Sequence, residues 1–362
     1  MQLNKMPATV VTGFLGSGKT TLLSHVLKHA NGRRIAVIVN EFGELDVDAD
    51  LLRNCPVEGC EDDTAAGSEP SDATGNGIYE LANGCICCTV QEEFHPVLRQ
   101  LIERRDQIDH VLIETSGLAL PKPLVQAFNW PDIKAHCTVD SVVTVVDAPA
   151  IADGRYANDP DAVERQRLAD EGLDHDPSLR ELFDDQLSAA DLVILNKTDL
   201  VDAAECERVE ERISAQLPRA VKVVTAAHGE LDSEMLLGLE LAAEDRIEDI
   251  HTHHDHHHDH DEDHHHAHEN FDSMVIELGE VDSDALLERI QSLVARHEVY
   301  RVKGFVAIPG KPMRQTLQTV GSRTDRYFDR QWRADEQRAT RLVVIGQRLN
   351  RADVEAILNG DA

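Results

Sequence analysis

The apolar positions of this chain fall into short β-branched runs separated by helical or loop-like stretches. The amino-terminal part contains six such runs, at Ala8–Val11, Ile35–Val39, Val111–Glu114, Val139–Val146, Leu192–Asn196 and Ala220–Val224. A helical pattern over Thr20–His29 follows the first run and leads into the second, which is the spacing of a βαβ crossover. We therefore predict an α/β domain with a mostly parallel sheet over residues 1–245.

One stretch of this first domain lacks the pattern of alternating strand-like and helical segments. Between Glu44 and Gly77 the periodicity is lost, and the acidic run Glu61-Asp62-Asp63 precedes a segment rich in Gly, Ser, Pro and Asp. Such composition favours turns and irregular backbone over a packed element. We interpret 44–77 as a long, acidic and partly mobile insertion.

A second domain is predicted after a low-complexity linker. Residues 251–268 consist of eleven His, four Asp, one Glu, one Thr and one Ala, which cannot bury a core, so 246–270 is predicted to be a linker. Three strand-like runs and one amphipathic helical pattern follow it without βαβ repetition, at Met274–Leu278, Ala285–His297, Val302–Ile308 and Leu342–Ile345. This order predicts a small α+β domain over 271–362.

The charge of the chain narrows the choice of partners. The formal net charge is −32, from 67 acidic and 35 basic residues, and aromatic residues make up 4%. Such a surface repels phosphate backbones and anionic lipids, so neither nucleic acid nor a membrane is an expected partner. No apolar run reaches the ~18 residues of a membrane span, and Met1–Pro7 does not resemble a signal peptide. We expect a cytoplasmic protein that attracts cations.

A glycine-rich motif follows the first predicted strand. Gly13-Phe14-Leu15-Gly16-Ser17-Gly18-Lys19-Thr20 fits G-x4-G-K-[ST] between a strand and a helix, the context of a phosphate-binding loop. Its backbone amides and Lys19 would hold the phosphates of a nucleotide, and the Thr20 hydroxyl would ligate Mg²⁺. We assign Gly13 to Thr20 and the following Thr21 to nucleotide binding, with Lys19 as a catalytic group.

A second motif indicates which base is bound. Asn196-Lys197-Thr198-Asp199 directly follows an apolar run, and this N-K-x-D pattern is the guanine-reading element of GTPases. The carboxylate of Asp199 can accept hydrogen bonds from N1 and from the exocyclic amine of guanine, which adenine cannot offer. Asn196, Lys197 and Asp199 are therefore predicted to bind GTP, although an ordinary surface turn would use similar residues.

Two strand ends carry carboxylates that we assign to catalysis. Val111–Glu114 is an apolar strand that ends in a carboxylate, which places Glu114 near Mg²⁺ or the attacking water, with Thr115–Gly117 as a sensor of the γ-phosphate. Asn40-Glu41-Phe42-Gly43 ends the second strand and is predicted to be the first switch, with Glu41 in the catalytic set. Either glutamate could instead be a solvated carboxylate at a strand end.

Three cysteines lie close together between these two switches. Cys85-Ile86-Cys87-Cys88 places three thiols within four residues, and soft thiolates select Zn²⁺, Co²⁺, Cu⁺ or iron–sulfur clusters. We predict that Cys85, Cys87 and Cys88 bind a transition metal, with a redox dithiol or plain packing as alternatives. Further ligands could come from Cys55 and Cys60, whereas Cys137 and Cys206 are expected to be structural. The histidine-rich tract is predicted to bind metal with low selectivity, unless it is an acidic spacer.

Together these motifs resemble one family. Gly13–Thr20, Asn40–Gly43, Asn83–Cys88, Glu114–Gly117, Asn196–Asp199, Arg301–Gly304 and the histidine-rich linker are similar to the CobW-type metallochaperone GTPases. Some members of the family carry a Glu two positions before the equivalent of Glu41. This chain has Val39 there, so a metal-binding role at that position does not carry over. The resemblance implies a GTPase that delivers a transition metal, Co²⁺ in cobalamin synthesis, to a client protein, a cobaltochelatase.

Two alternatives remain open at the level of the sequence. The first keeps the same machinery and changes the cargo to Zn²⁺ or Ni²⁺, because intrinsic affinity in a thiolate site does not favour Co²⁺ over Zn²⁺. The second is a metal storage or sensing protein, in which cysteines and histidines bind metal and the nucleotide site is regulatory. The expected cofactors are GTP, Mg²⁺ and either Co²⁺ or Zn²⁺.

Overall fold

The computed structural model describes residues 5–30, 32–40, 73–74, 78–81, 94–169, 178–218, 220–237, 271–333 and 336–361. These residues belong to two compact units, one that ends at Leu237 and one that contains the residues from 271 onward. Within the described ranges, no helix combines the length and the apolar character that crossing a bilayer requires.

The first unit is built on an α/β sheet. Its described strands are β1 (Met6–Thr12), β2 (Ile35–Asn40), β3 (Ala73–Thr74), β4 (Ile78–Leu81), β5 (His110–Glu114), β6 (Cys137–Asp147), β7 (Leu192–Asn196) and β8 (Lys222–Thr225). They lie in the order β3-β4-β2-β5-β1-β6-β7-β8. The short β3, which falls inside the predicted insertion, is antiparallel to β4, and all other neighbouring pairs are parallel. The predicted mostly parallel sheet is confirmed.

Helices connect these strands and cover both faces of the sheet. The described helices are α1 (Lys19–Lys28), α2 (His95–Glu103), α3 (Pro121–Ala127), α4 (Pro131–Lys134), α5 (Ala148–Ala152), α6 (Pro160–Ala169), α7 (Leu179–Ser188), α8 (Ala203–Ser214) and α9 (Ser233–Leu237). One apolar cluster forms around Phe94 and Leu98 of the α2 region, and another around Phe183 and Leu187 of α7. Because both faces are covered, every residue of β6 and β7 is buried.

The strand order brings the functional motifs to one edge of the sheet. The neighbouring strands β5, β1, β6 and β7 are parallel, so their carboxyl ends lie side by side. In parallel α/β sheets, ligands bind outside the carboxyl ends of the strands. Here those ends are Glu114, the turn after Thr12, Asp147 and Asn196.

The second unit contains an antiparallel sheet with two described helices. Its strands are β9 (Asp272–Leu278), β10 (Val299–Val306), β11 (Met313–Val320), β12 (Arg323–Gln331) and β13 (Thr340–Gly346), in the order β12-β11-β10-β13-β9, and its helices are α10 (Ser283–Arg296) and α11 (Arg351–Asn359). The side chain of Asp282 caps α10 by accepting from the amides of Asp284 and Ala285. The predicted α+β class is confirmed, whereas β11, β12 and α11 were not predicted.

Polar residues of the second unit are buried because they pair across the sheet. Arg314 of β11 is bound by both carboxylate oxygens of Asp329, and its guanidinium lies 3.3 Å from the ring centroid of Phe305. Glu336 accepts from Arg314 at 3.3 Å and from Arg330 at 2.5 Å. Polar side chains that satisfy one another in this way need no apolar alternation, so the sequence pattern did not predict these strands.

Candidate functional site

The loop after β1 has a backbone that its glycines make possible. Gly13, Gly16 and Gly18 adopt φ values of +137°, +77° and +99°, which L side chains rarely adopt. A Cβ on Gly13 would lie 2.2 Å from the carbonyl oxygen of Val145 in β6, so the chain passes this strand too closely for any side chain. The loop therefore curls tightly between β1 and α1.

The interior of this loop suits an anion. The Nζ atom of Lys19 is buried and donates to the carbonyl oxygens of Gly13 at 2.9 Å and Phe14 at 3.2 Å. The buried Oγ of Ser17 has no hydrogen-bond partner, although buried polar atoms are almost always paired. No acidic residue occupies the first turn of α1, so its amide end stays electropositive. A phosphate group would satisfy all three features.

A hydroxyl and a carboxylate meet beside the loop. Thr20, in the first turn of α1, donates from Oγ1 to Oε1 of Glu114 at 2.9 Å. Glu114 is the last residue of β5, which neighbours β1. Because hydroxyl and carboxylate oxygens are the ligands that Mg²⁺ takes beside nucleotide phosphates, this pair fits the predicted Mg²⁺ site.

Two residues of the N-K-x-D motif hold the loops together. Asn196 donates from Nδ2 to the carbonyl oxygen of Ser17 at 2.9 Å and accepts from the amide of Gly229 at 3.1 Å. Lys197 has a φ of +62° and donates from Nζ to the carbonyl oxygen of Gly16 at 2.5 Å. Both side chains therefore tie the end of β7 to the phosphate loop.

The third residue of the motif faces outward. Asp199 lies in a short 3₁₀ turn, Thr198–Leu200, and its side chain is 25% exposed. Its Oδ2 lies 3.6 Å from Nε2 of His228, an exposed histidine in the loop after β8. A carboxylate in this position can still accept hydrogen bonds from a ligand, as reading guanine requires. The nucleotide-binding roles of these residues stay predictions.

Two contributors to this site were not predicted from the sequence. Asp147, the last residue of β6, accepts from Nζ of Lys197 at 2.6 Å and from the amide of Ala150 at 3.0 Å. The loop 226–229 supplies Gly229, and a Cβ there would lie 2.9 Å from the amide nitrogen of Leu22 in α1. The signal for Asp147 was an apolar strand that ends in a carboxylate, the same signal that led to Glu114.

Three predicted nucleotide-binding residues turn their side chains away from the loop interior. The ring of Phe14 packs parallel to that of Phe183, with 6.1 Å between centroids. Leu15 packs against the same apolar cluster, and Thr21 is exposed. The Phe14 carbonyl, through its bond to Lys19, belongs to the site, whereas the Phe14 ring belongs to the core.

The predicted cargo site lies outside the described residues. This holds for Cys85, Cys87 and Cys88, and likewise for Cys55, Cys60, Glu41 and the tract 251–268. In the part of the chain that is described, no group of three or more His, Cys, Asp or Glu side chains is arranged to hold a metal ion. Cys137 is buried in the core, and burial raises the pKa of its thiol to about 12, which fits a structural role.

The parallel sheet, the glycine-rich loop, the Thr20–Glu114 pair and the N-K-x-D turn define a P-loop GTPase. Residues 7–225 match the family described as CobW/HypB/UreG, nucleotide-binding domain. Residues 271–360 match the family described as Cobalamin synthesis protein cobW C-terminal domain. The chain belongs to the CobW/HypB/UreG family, which confirms the resemblance seen in its motifs.

Three relatives illustrate this membership. The zinc chaperone CobW of Pseudomonas aeruginosa is 58% identical over 97% of this chain and 90% of its own length. The zinc chaperone CobW of Sinorhizobium is 49% identical over 94% of this chain and 93% of its own length. The zinc chaperone YjiA of Escherichia coli is 29% identical over 99% of both chains.

Proposed function

We propose that this protein is a GTP-driven metallochaperone whose cargo is Zn²⁺, held by the thiolates of Cys85, Cys87 and Cys88. Its relatives at 58% and 49% identity are both named zinc chaperones, which supports Zn²⁺ as the cargo. The family resemblance implies Co²⁺ as the cargo, and that expectation stays a prediction. We also propose that a metal-requiring client protein receives the cargo. The more specific expectation that this client is a cobaltochelatase stays a prediction.

The single observation that carries this proposal is the strand order β4-β2-β5-β1. These four strands are parallel, so β4 ends at the same sheet edge as the phosphate loop and Glu114. Cys85 follows Leu81, the last residue of β4, by four residues, a reach of at most ~14 Å. This strand order supports the proposal that the thiols lie near the nucleotide site.

The residues at this edge have distinct proposed roles. Lys19 places its charge on the β- and γ-phosphate oxygens of GTP, and Asp199 reads guanine. Thr20 and Glu114 would hold Mg²⁺, which supplies positive charge against the charge that develops on the phosphates. Glu41 stays in the proposed catalytic set, as part of the first switch. Three reduced thiols in four residues favour the reducing cytoplasm as the compartment.

Gating of metal affinity by the nucleotide follows from this placement. The end of β2 leads into Asn40–Gly43, and the end of β5 leads into Thr115–Gly117. A γ-phosphate that contacts both segments would order them and bring the thiolates between them in sequence into a tight site. Hydrolysis would loosen both segments and release the metal to the client.

The test measures Zn²⁺ affinity by competition with a chromophoric chelator in four conditions: Mg²⁺ with GTP, with a non-hydrolysable analogue, with GDP, and without nucleotide. A chaperone that binds its metal and later releases it should bind Zn²⁺ at least ~150-fold more tightly with GTP than with GDP. By linkage, Zn²⁺ should tighten GTP binding by the same factor. A parallel titration with Co²⁺ compares the two cargos.

Single-residue variants test which side chains hold the metal and which couple its affinity to the nucleotide. Replacing Cys85, Cys87 or Cys88 by Ser should weaken the tight site, and Lys19→Ala should remove its dependence on nucleotide. Cys206→Ser is the matched control, because Cys206 lies in α8 far along the chain from these thiols. Equal Zn²⁺ affinity in all four conditions would contradict the gating mechanism and favour a metal store or sensor.

A further inference from the structure

Two histidines lie side by side at the carboxyl end of the helix that begins at the phosphate loop. His25 lies in the last turn of α1, and His29, four residues later, is the residue that caps the helix. Their ring centroids are 4.2 Å apart, and the ring planes are inclined by 31°. Neither residue takes part in the nucleotide site described above.

The hydrogen bonding of His29 prepares one ring nitrogen to bind a ligand. Its Nδ1 lies 2.9 Å from the backbone carbonyl oxygen of His25, and because a carbonyl only accepts, Nδ1 must carry the proton. The lone pair of the neutral ring then lies on Nε2. Metal-binding histidines commonly donate their other ring N–H to a carbonyl in this way, which fixes tautomer and orientation. His29 is exposed, so Nε2 is accessible.

Negative charge lies near the His25 ring. The carboxylates of Glu230 and Asp232 are close enough to act on this ring and belong to exposed residues of the loop before α9. Their charge favours a bound cation at this place.

We propose that His25 and His29 form a second metal site, for a divalent transition metal of the Zn²⁺, Co²⁺ and Ni²⁺ class. Imidazole nitrogens suit these ions. The two imidazoles would be the fixed ligands, and water or a carboxylate would complete the shell. The site is chemically distinct from the cysteine loop and does not depend on the proposed cargo site.

The position of this pair gives it a use in a metal-handling GTPase. α1 also carries Lys19 and Thr20, and Gly229 of the loop preceding Glu230 packs against the backbone of Leu22. A metal at the histidine pair would therefore lie at the carboxyl end of the helix whose first turn carries the phosphate-binding residues. Two neutral nitrogens hold an ion less tightly than three thiolates, so this site suits rapidly exchanging metal.

The test uses the full-length protein with Zn²⁺ and modifies histidines with diethyl pyrocarbonate, read peptide by peptide by mass spectrometry. This readout separates His25 and His29 from the eleven histidines of 251–268. With free Zn²⁺ at ten times its dissociation constant, both residues should react about tenfold more slowly. His297, partly buried like His25, is the internal control and should react at an unchanged rate.

Variants decide whether the pair acts as one site. His25→Ala should abolish the protection of His29, and His29→Ala that of His25, whereas the His297→Ala control should abolish neither. Protection should persist when the cysteines of 85–88 are replaced by Ser, which separates this proposal from the thiolate cargo site. Unchanged reaction rates with Zn²⁺, or protection of His29 that survives in His25→Ala, would overturn the proposal.

Discussion

Each unit of the molecule buries a charged pair, and the two pairs differ in what surrounds them. Asp147 and Lys197 lie at the edge of the parallel sheet, where Lys197 also bonds the phosphate loop and Ser17 nearby keeps an unpaired hydroxyl. Arg314 and Asp329 lie on adjacent antiparallel strands and are joined by Glu336. The first pair lies beside a phosphate-binding loop, whereas the second pair is closed by a further side chain of its own sheet. Buried charge alone therefore does not mark a ligand site.

The distribution of charge separates the same two regions. Residues 271–362 contain fourteen acidic and fourteen basic side chains, so the net charge of −32 resides entirely in residues 1–270. The attraction for cations thus belongs to the part of the chain that carries the phosphate loop, the cysteines and the histidine-rich tract. The second unit is electrically neutral, and its many arginines pair within it.

The largest expected effect breaks the pair in the second unit. Arg314→Ala would leave the buried carboxylate of Asp329 without its main partner and should cost about 3–5 kcal/mol of the free energy of unfolding of that unit. Urea unfolding followed by the fluorescence of Trp332, in a Trp130→Phe background, measures the loss. GTP affinity of the folded protein should not change.

The matched control for that substitution is Arg351→Ala. Arg351 pairs with Glu355 one helical turn away, but its side chain is 57% exposed, so the change should cost less than about 1 kcal/mol. If Arg314→Ala instead weakened GTP binding while the second unit kept its stability, the contrast drawn between the two charged pairs would be wrong.

The next largest effect concerns the base in the first unit. Asp199→Asn replaces an acceptor of two guanine N–H groups and should weaken GTP binding by roughly 2–4 kcal/mol. Xanthosine triphosphate, which offers an acceptor where guanine offers an amine, should bind the variant better than it binds the wild type. Competition with a fluorescent guanine nucleotide measures both affinities. Hydrolysis of ATP as readily as GTP by the wild type would contradict the guanine assignment.

A smaller effect tests the charged pair at the nucleotide site. Asp147→Asn keeps the acceptor for the Ala150 amide and removes the negative charge opposite Lys197. Loss of a charge-assisted bond suggests about 1.5–2 kcal/mol, so the dissociation constants of GTP and GDP should both rise at least about tenfold. The rate at saturating GTP should hold, because Asp147 acts through Lys197 and not on the phosphates.

The control here is Asp153→Asn, which removes a carboxylate whose pair with Arg155 is exposed. It should leave nucleotide binding and stability within measurement error. An Asp147→Asn variant that binds GTP normally would show that Lys197 needs no partner to hold the phosphate loop, and the pair would then resemble the structural pair of the second unit.

The two units also differ in how far the sequence predicted them. In the first, strands buried on both faces read as continuous β-branched runs, so Val139–Val146 located β6 and Leu192–Asn196 located β7. In the second, β11 alternates Arg, Gln and Thr with few apolar residues. Its burial depends on pairing between Arg314 and Asp329, fifteen residues apart, which no local pattern contains.

The site was predicted where strand ends and motifs coincide. Thr20 and Glu114 meet because one follows β1 and the other ends its neighbour β5, while their roles at Mg²⁺ stay predictions. The roles of Asn196 and Lys197 as ties to the phosphate loop were missed, because their partners lie 179 and 181 residues away in the chain. A sequence motif predicts which residues contact a ligand. It does not predict which residues position the binding loop, because those contacts join parts of the chain that are far apart in the sequence.

The last expected effect is a dependence of stability on pH that belongs to the second unit. Burial alone would raise the pKa of Glu336, but hydrogen bonds from Arg330 and the Arg333 amide, with the charges of Arg330 and Arg314, lower it to about 2. In the unfolded chain this carboxyl titrates near 4.5. The folded state thus binds fewer protons than the unfolded state between these pH values. The contribution of the Glu336 carboxylate to the stability of the unit is therefore fully present above about pH 4.5 and is lost as the pH falls towards 2.

Urea unfolding between pH 2 and pH 6, followed by Trp332, measures this dependence. Glu336→Gln should be less stable than the wild type at pH 6, and the difference should shrink as the pH falls, because the wild-type carboxyl becomes neutral as well. Glu355→Gln, at an exposed ion pair in α11, should leave the profile unchanged. A constant difference between Glu336→Gln and the wild type across this range would mean that Glu336 stabilises the unit by its shape and hydrogen bonds rather than by its charge.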